Sequence, residues 1–223
     1  MKHFFKASLL VLSATLLFSC SKKEQGQTAK DSSTGAPTAT APTAAKGRYG
    51  IKSGIFTVTS NAMGQDIITT TYFDDYGKKE YQEAKMEMKM MGQTIKTNNV
   101  TIVNGDGFRY TIDMEKKTGI KMKDFGGSGS STMDMSAMSE KMSKEYHIKK
   151  EAPVTILGKT CDSYSMDGKM GKGTFATWQG ISMRSEMTVS GMKMKIEATK
   201  LEENVSIPAD KFEVPKDITI TSR

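Results

Sequence analysis

From residue 49 onward the chain alternates between apolar and polar positions with a period of two, the pattern of strands that bury one face. Residues 49–60 carry Tyr49, Ile51, Ile55, Phe56 and Val58, and the turn-like Asn61-Ala62-Met63-Gly64 leads into a second run, 66–73, rich in Ile and Thr. Asp74-Asp75-Tyr76-Gly77 signals a reversal. The run 80–91 alternates most clearly. Ala84, Met86, Met88 and Met90 share one face, while Glu83, Lys85, Glu87 and Lys89 share the other. Strands are predicted again at 94–103 and, after the hairpin signal Asn104-Gly105-Asp106-Gly107, at 108–113 and around Ile120 and Met122.

The period then changes. After the glycine-rich stretch 124–131, residues 133–147 place Met135, Met138 and Met142 at helical spacing, which predicts one amphipathic helix lying over the sheet. Strands return at 154–157, 160–166, 173–179, 183–189 and 192–200. In the last two, Met183, Met187, Met192 and Met194 oppose charged or hydroxylated neighbours. Ile207 to Phe212 reads as a short helical turn. The fold class is therefore mostly β: about ten antiparallel strands in a curved, unclosed half-barrel, with one or more covering helices. Such a sheet needs a helix or a ligand on its concave side.

The first 46 residues do not share this pattern. A basic start, Met1-Lys2-His3 with Lys6, precedes an apolar run from Ala7 to Phe18 that is too short to span a bilayer and has the architecture of an export signal. Leu17-Phe18-Ser19-Cys20 resembles the bacterial lipobox. That resemblance implies cleavage after residue 19, lipidation of Cys20 and attachment to a membrane through several acyl chains, each buried methylene contributing about 0.8 kcal/mol. Ser21 after the cysteine favours the outer membrane over inner-membrane retention. The periplasmic face fits better than the cell surface, because Ser21-Lys22-Lys23-Glu24 is not the acidic run of surface-export tags. Residues 21–46, rich in Ser, Thr, Ala, Pro and Lys, form a polar tether with a root-mean-square reach of about 25–30 Å. The organisation expected is a signal at 1–19, a lipidated cysteine and tether at 20–46, and one β-rich domain at 47–223.

Several segments of that domain are familiar together: Tyr49-Gly50-Ile51-Lys52-Ser53-Gly54, Tyr72-Phe73-Asp74-Asp75-Tyr76-Gly77, Leu157-Gly158-Lys159-Thr160-Cys161, Trp178-Gln179-Gly180-Ile181 and Ile207-Pro208-Ala209-Asp210-Lys211-Phe212-Glu213-Val214-Pro215. They resemble an uncharacterised bacterial lipoprotein domain family within the wider LolA-like set of outer-membrane lipoprotein and lipid carriers. The resemblance implies a half-open barrel whose apolar concavity, plugged by helices, receives acyl chains. It assigns no ligand contacts to particular residues.

Charge narrows the partners. The formal charge is +7, from 32 basic and 25 acidic residues. Setting aside the six lysines and two acidic residues of 1–46 leaves 26 and 23, a net of +3 with the signs interspersed. No basic block flanked by stacking aromatics points to nucleic acid. Enzyme chemistry is not expected either. Cys161 lies in a strand-like run, His147 has no residue to orient it, and the glycine-rich stretch lacks a phosphate-loop lysine. No cofactor is expected.

Methionine is the unusual feature, 18 in the chain and 17 after the initiator. A flexible thioether fills irregular core gaps, and it equally suits a deformable wall against an acyl chain. The candidate lining is Met86, Met88, Met90, Met135, Met138, Met142, Met183, Met187, Met192 and Met194, with Trp178 either in the core or at the cavity mouth. Cu(I) capture is a third reading, weakened because same-face residues on a strand are about 6.5–7 Å apart. The function expected is a membrane-anchored envelope lipoprotein that binds or carries a lipid, acyl chain or lipoprotein. The alternative is a structural or interaction domain that meets an envelope partner and holds no small ligand.

Overall fold

The computed structural model describes residues 47–222 other than 63–64, 91, 125–139 and 169–170. Twelve strands form one mixed, largely antiparallel sheet: β1 Gly54–Ala62, β2 Gln65–Asp74, β3 Lys79–Met90, β4 Gln93–Val103, β5 Phe108–Asp113, β6 Thr118–Lys123, β7 Lys149–Ile156, β8 Lys159–Gly168, β9 Gly171–Trp178, β10 Ile181–Val189, β11 Met192–Glu203 and β12 Thr219–Ser222. Their spatial order, β12-β6-β5-β4-β3-β2-β1-β11-β10-β9-β8-β7, leaves two edges, so the sheet curves without closing into a barrel. Hairpins account for nearly all of it. β1 pairs with β11 across the sequence, and β12 pairs in parallel with β6, the one departure from the antiparallel expectation.

Bulges supply the bending. Registers shift between Thr57 and Val58 against β11, between Ser182 and Arg184 against β9, and between Glu151 and Val154 on the outermost strand β7. At the second of these, Ile181, Ser182 and Met183 are all buried in succession, which strict alternation forbids. The third falls around Pro153, whose missing N–H interrupts the free edge and blunts it against pairing.

The alternation does not put every apolar face on one side. On the inner face, Phe56, Val58, Phe73 and Ala198 meet the main core, to which Tyr49, Ile156, Cys161, Ala176, Ile181 and Met183 also belong. In β4 and β5 the buried residues Val100, Ile102, Tyr110 and Ile112 occupy the opposite, outer face, as the register Tyr81↔Ile102↔Tyr110 requires. They are covered by Val214, Ile218 and Ile220 of the C-terminal segment, which wraps back to lay β12 beside β6. The expectation of a single apolar face is corrected there: the chain has its own cover for the outer side.

The helix expected at 133–147 is seen as α1, Glu140–Glu145, with residues 131–139 outside the described part. Its exit turn lies against the inner face, where Tyr146 and Ile148 pack with Met166, Phe175, Tyr164 and Met187. The Ile148 N–H donates to the Ser143 carbonyl (2.9 Å).

Candidate functional site

The two ends of the inner face are built differently. The first is where β2 turns into β3 and β9 into β10, and residues 47–53 lie across it. Tyr49 enters here, 1% exposed, with ring centroids 4.2 Å from Phe73 and 5.9 Å from Phe56. The Tyr49 N–H donates to the Tyr76 carbonyl (3.1 Å), the Gly50 N–H to the Gln179 carbonyl (2.9 Å), and the Tyr76 N–H to the Lys52 carbonyl (2.9 Å). These bonds hold the 74–77 turn with Asp75 and Tyr76 at φ of 47° and 59°, in the left-handed region that costs energy for residues with a Cβ. Gly77, at φ 85°, leaves room for the Tyr49 ring, which a Cβ would meet at 2.7 Å.

Charges are buried beneath this plug. The register Phe73↔Glu80↔Val103↔Arg109 puts Glu80 and Arg109 on the inner face. Glu80, 6% exposed, is ion-paired with Arg48 and accepts from the Tyr49 hydroxyl (3.2 Å), while Arg109 pairs with Asp124 (2.9 Å). Burial pushes the Glu80 carboxyl above its ordinary value, with Arg48 and Tyr49 pulling the other way. Burial likewise raises the Tyr49 phenol, and Glu80 adds to it. Burial is the largest influence on Arg48 and works against its charge, but Glu80, Tyr49 and Asp124 together hold the guanidinium above its usual value.

At the opposite end, where β10 turns into β11, the inner face is open. Cross-strand pairing lines up Met166, Gly173, Met187, Met194 and Ala62 in one transverse row over five strands. The next row inward runs Tyr164, Phe175, Ser185, Ile196, Ser60, Ile67 and Met86. Gly173 has a local reason: a Cβ there would sit 2.6 Å from the Glu186 carbonyl oxygen and 3.0 Å from Met187 Cγ, so its absence lets Met187 lie across the strand. Met166, Gly173, Met187 and Met194, with Ile148 after α1, line a solvent-open groove of about 1130 Å³. Lysines and carboxylates line it as well, and the register places Lys149, Asp167, Lys172, Glu186, Lys193 and Lys195 on the sheet face opposite that methionine row. Asp167 is held below the usual carboxylate range by the Lys172 ammonium (2.8 Å), and its backbone carbonyl lies 2.6 Å from His147 Nδ1.

The sequence candidates divide among several environments. Met187 and Met194 line this groove, and Met192, 47% exposed, stands at the tip of the β10–β11 hairpin. Met86 lines a separate groove of about 500 Å³ beside Ile68, Lys85 and Lys96, and Met88 is half-buried on the same strand face. Met90 ends β3 and Met142 lies within α1. Met183 is fully buried in the main core, at the register shift between β10 and β9. Trp178 packs against that core with Lys159 Nζ 5.0 Å from its ring centroid, away from both grooves. Cys20, Met135, Met138 and most of the glycine-rich stretch lie outside the described residues. Cys161 is fully buried and burial raises its thiol.

Sequence reasoning missed Met166 and Gly173 as groove residues and the Arg48–Glu80–Tyr49 plug. A signal existed for the plug: Glu80 falls on the apolar side of the alternation that begins at Met86 and Ala84. Among the described residues no three His, Cys, Asp or Glu side chains gather as metal ligands, and no helix is long and apolar enough to cross a membrane.

No family model matches the chain, and no curated protein sequence matches it. Solved structures do share its fold. An uncharacterized conserved protein from Thermus thermophilus is similar over 77% of this chain and 91% of that one, at 7% identity and a TM-score of 0.51. A chain of the Pseudomonas aeruginosa MucA/MucB complex is similar over 76% of this chain and 58% of its own length, at 11% identity and a TM-score of 0.45. A putative outer membrane lipoprotein-sorting protein domain from Vibrio parahaemolyticus is similar over 75% and 90%, at 9% identity and a TM-score of 0.35. At these identities the likeness is one of fold, and the Thermus protein carries it.

Proposed function

We propose that this protein is a lipid-anchored lipoprotein of the cell envelope that takes an acyl chain, of a lipid or of a lipoprotein, into the groove at the open end of its half-barrel. One observation carries the reading: Met166, Gly173, Met187 and Met194, one cross-strand row, are among the residues lining a groove of about 1130 Å³, slightly above the usual range of ligand pockets. Unbranched thioethers adjust to a flexible chain at little packing cost. Anchoring rests on Cys20 and the residues around it, which support an outer-membrane location facing the periplasm. The protein acts by binding, with no covalent step.

The packed half of the concavity favours a second reading, a structural envelope domain. There Phe56, Phe73 and Met183 already fill the space a ligand would need. One experiment separates the two. The full chain carrying Cys20→Ser is purified without detergent, and co-purifying lipids are identified by mass spectrometry under native conditions. Acyl-bearing species near one per chain, lost in Met194→Glu at a position 40% exposed and so tolerant of charge, support carriage. A lipid-free protein that also takes up no added palmitate supports the structural reading.

A further inference from the structure

We infer that Met194, with Met192 beside it, is an oxidation site that controls the groove: conversion of its thioether to the sulfoxide closes the apolar wall to an acyl chain. The inference rests on the acyl-chain reading and adds a regulation of the same site. Exposure separates the methionines. Met183 is 0% and Met166 5% exposed, and Met187 is half-buried against Met166 and Phe175. Met194 is 40% exposed and Met192 47%. Of the three methionines that line the groove among the described residues, Met166, Met187 and Met194, only Met194 is open to solvent.

The fold accounts for this difference. Met187 and Met194 are cross-strand partners on one sheet face, and Met192 shares that face two residues nearer the tip. Met187 lies across Gly173 toward Met166, under the cover that Tyr146 and Ile148 provide. The β10–β11 hairpin runs on past that cover. It turns tightly at Ser190 and Gly191, both at positive φ, and residues 190–195 are all exposed. Neither Met192 nor Met194 belongs to an apolar cluster among the described residues.

A two-electron oxygen donor such as hydrogen peroxide meets the exposed thioethers first. The sulfur lone pair attacks one peroxide oxygen, the O–O bond breaks, and the departing hydroxide takes the proton from the transferred oxygen. Sulfur is oxidised to the sulfoxide, the peroxide is reduced, and water leaves. Cys161, the one free thiol among the described residues, competes poorly, because it is fully buried and burial raises it. The product carries a strongly accepting S–O dipole beside Met187 where a flexible apolar wall stood. An acyl chain laid on Met187 and Met194 strips the water from that oxygen and offers no donor in return, so the oxidised groove holds it less tightly. Met122 supplies a control. It is 39% exposed, and it stands opposite Arg109 on β6, outside the groove.

The full chain carrying Cys20→Ser is titrated with palmitate before and after limited treatment with hydrogen peroxide, and the sulfoxides are located by peptide mass spectrometry. Met192, Met194 and Met122 should oxidise ahead of Met187, Met166 and Met183, and palmitate should bind about tenfold more weakly afterwards. In the double variant Met192→Leu with Met194→Leu the affinities before and after peroxide should coincide, whatever their common value. In Met122→Leu the loss should match that of the parent. Should the double variant fail to fold, native mass spectrometry of the partly oxidised parent decides the matter. Met194 sulfoxide should then concentrate in the palmitate-free fraction, while Met122 sulfoxide divides evenly. An even division for Met194, a loss that persists in the double variant, or oxidation of Met166 as fast as Met194 overturns the inference. Palmitate binding that oxidation leaves unchanged overturns it too, with the groove reading still standing. Absence of palmitate binding before peroxide overturns the groove reading and the inference together.

Discussion

The two ends of this half-barrel share the same strands and the same inner face, yet one is plugged and the other is hollow. At the plugged end residues 47–53 return across the strand tips, so Tyr49, Phe56 and Phe73 pack ring against ring over the buried Arg48–Glu80 pair. At the hollow end the corresponding positions are Met166, Gly173, Met187 and Met194, with Tyr146 and Ile148 covering only one side. Large rigid rings fix a geometry, whereas thioethers and a glycine leave one adjustable. The difference teaches that an alternating sheet does not itself decide between core and cavity. The segment laid over it does.

Truncation on the two sides should break that equivalence. Tyr49→Ala removes a fully buried ring and a hydrogen bond to Glu80, and should cost about 3–5 kcal/mol in urea denaturation. Met187→Ala, at a half-buried position on the groove, should cost only about 1 kcal/mol. If the methionine change cost as much as the tyrosine change, the groove would be a packed interior. Next in size, Glu80→Ala leaves the Arg48 guanidinium, whose side chain is 15% exposed, without its partner, and should cost about 3 kcal/mol in the same assay. Neither closed-end change should alter lipid binding at the open end, provided the protein is assayed at a temperature where it stays folded.

Much of this architecture was legible from alternation alone. The hairpins from Gly54 to Lys123 and from Lys159 to Glu203 follow the period of two, and the turn signals at Asp74-Asp75-Tyr76-Gly77 and Ser190-Gly191 lie where the chain reverses. Which face each strand buries was less legible. Val100, Ile102, Tyr110 and Ile112 alternate as cleanly as Met86 and Met88, but the C-terminal segment covers them from the outside. A strand records that one of its faces is apolar, and the side on which its cover lies is a property of the tertiary fold. The four-residue strand β12 is too short to carry a period of its own. The groove was visible as a concentration of methionines, though not residue by residue. Met183 shares the alternation of Met187 but lies further along β10, in the main core, and Met166 and Gly173 enter through cross-strand register. Glu80 hid in plain view, a carboxylate on the apolar side of its strand, because its partner Arg48 lies 32 residues earlier in a stretch with no strand pattern.

The smallest expected effect tests the plugged end by pH. Burial sets the Glu80 carboxyl above its ordinary value of 4.5 in the folded protein. As pH falls through the raised value toward 4.5, the folded state binds a proton that the unfolded state does not yet bind, so this group's contribution to stability increases over that window and is lost again as pH rises through it. Exposed carboxylates behave oppositely. Asp113, held low by Lys116, and Glu197, held low by Lys195, lose their favourable contributions as pH falls further, through their depressed values. Glu80→Gln keeps an acceptor for Arg48 and Tyr49 but has no proton to gain. The stability of the parent protein relative to Glu80→Gln should therefore grow as pH is lowered from neutral toward 4.5, while lipid binding at the open end follows the same pH profile in both. Unfolding curves at a series of pH values measure the gap between the two proteins. A gap that narrows on acidification would mean that the Arg48 contact, rather than burial, governs Glu80, and the plugged end would then be held by an ion pair more than by its aromatic packing.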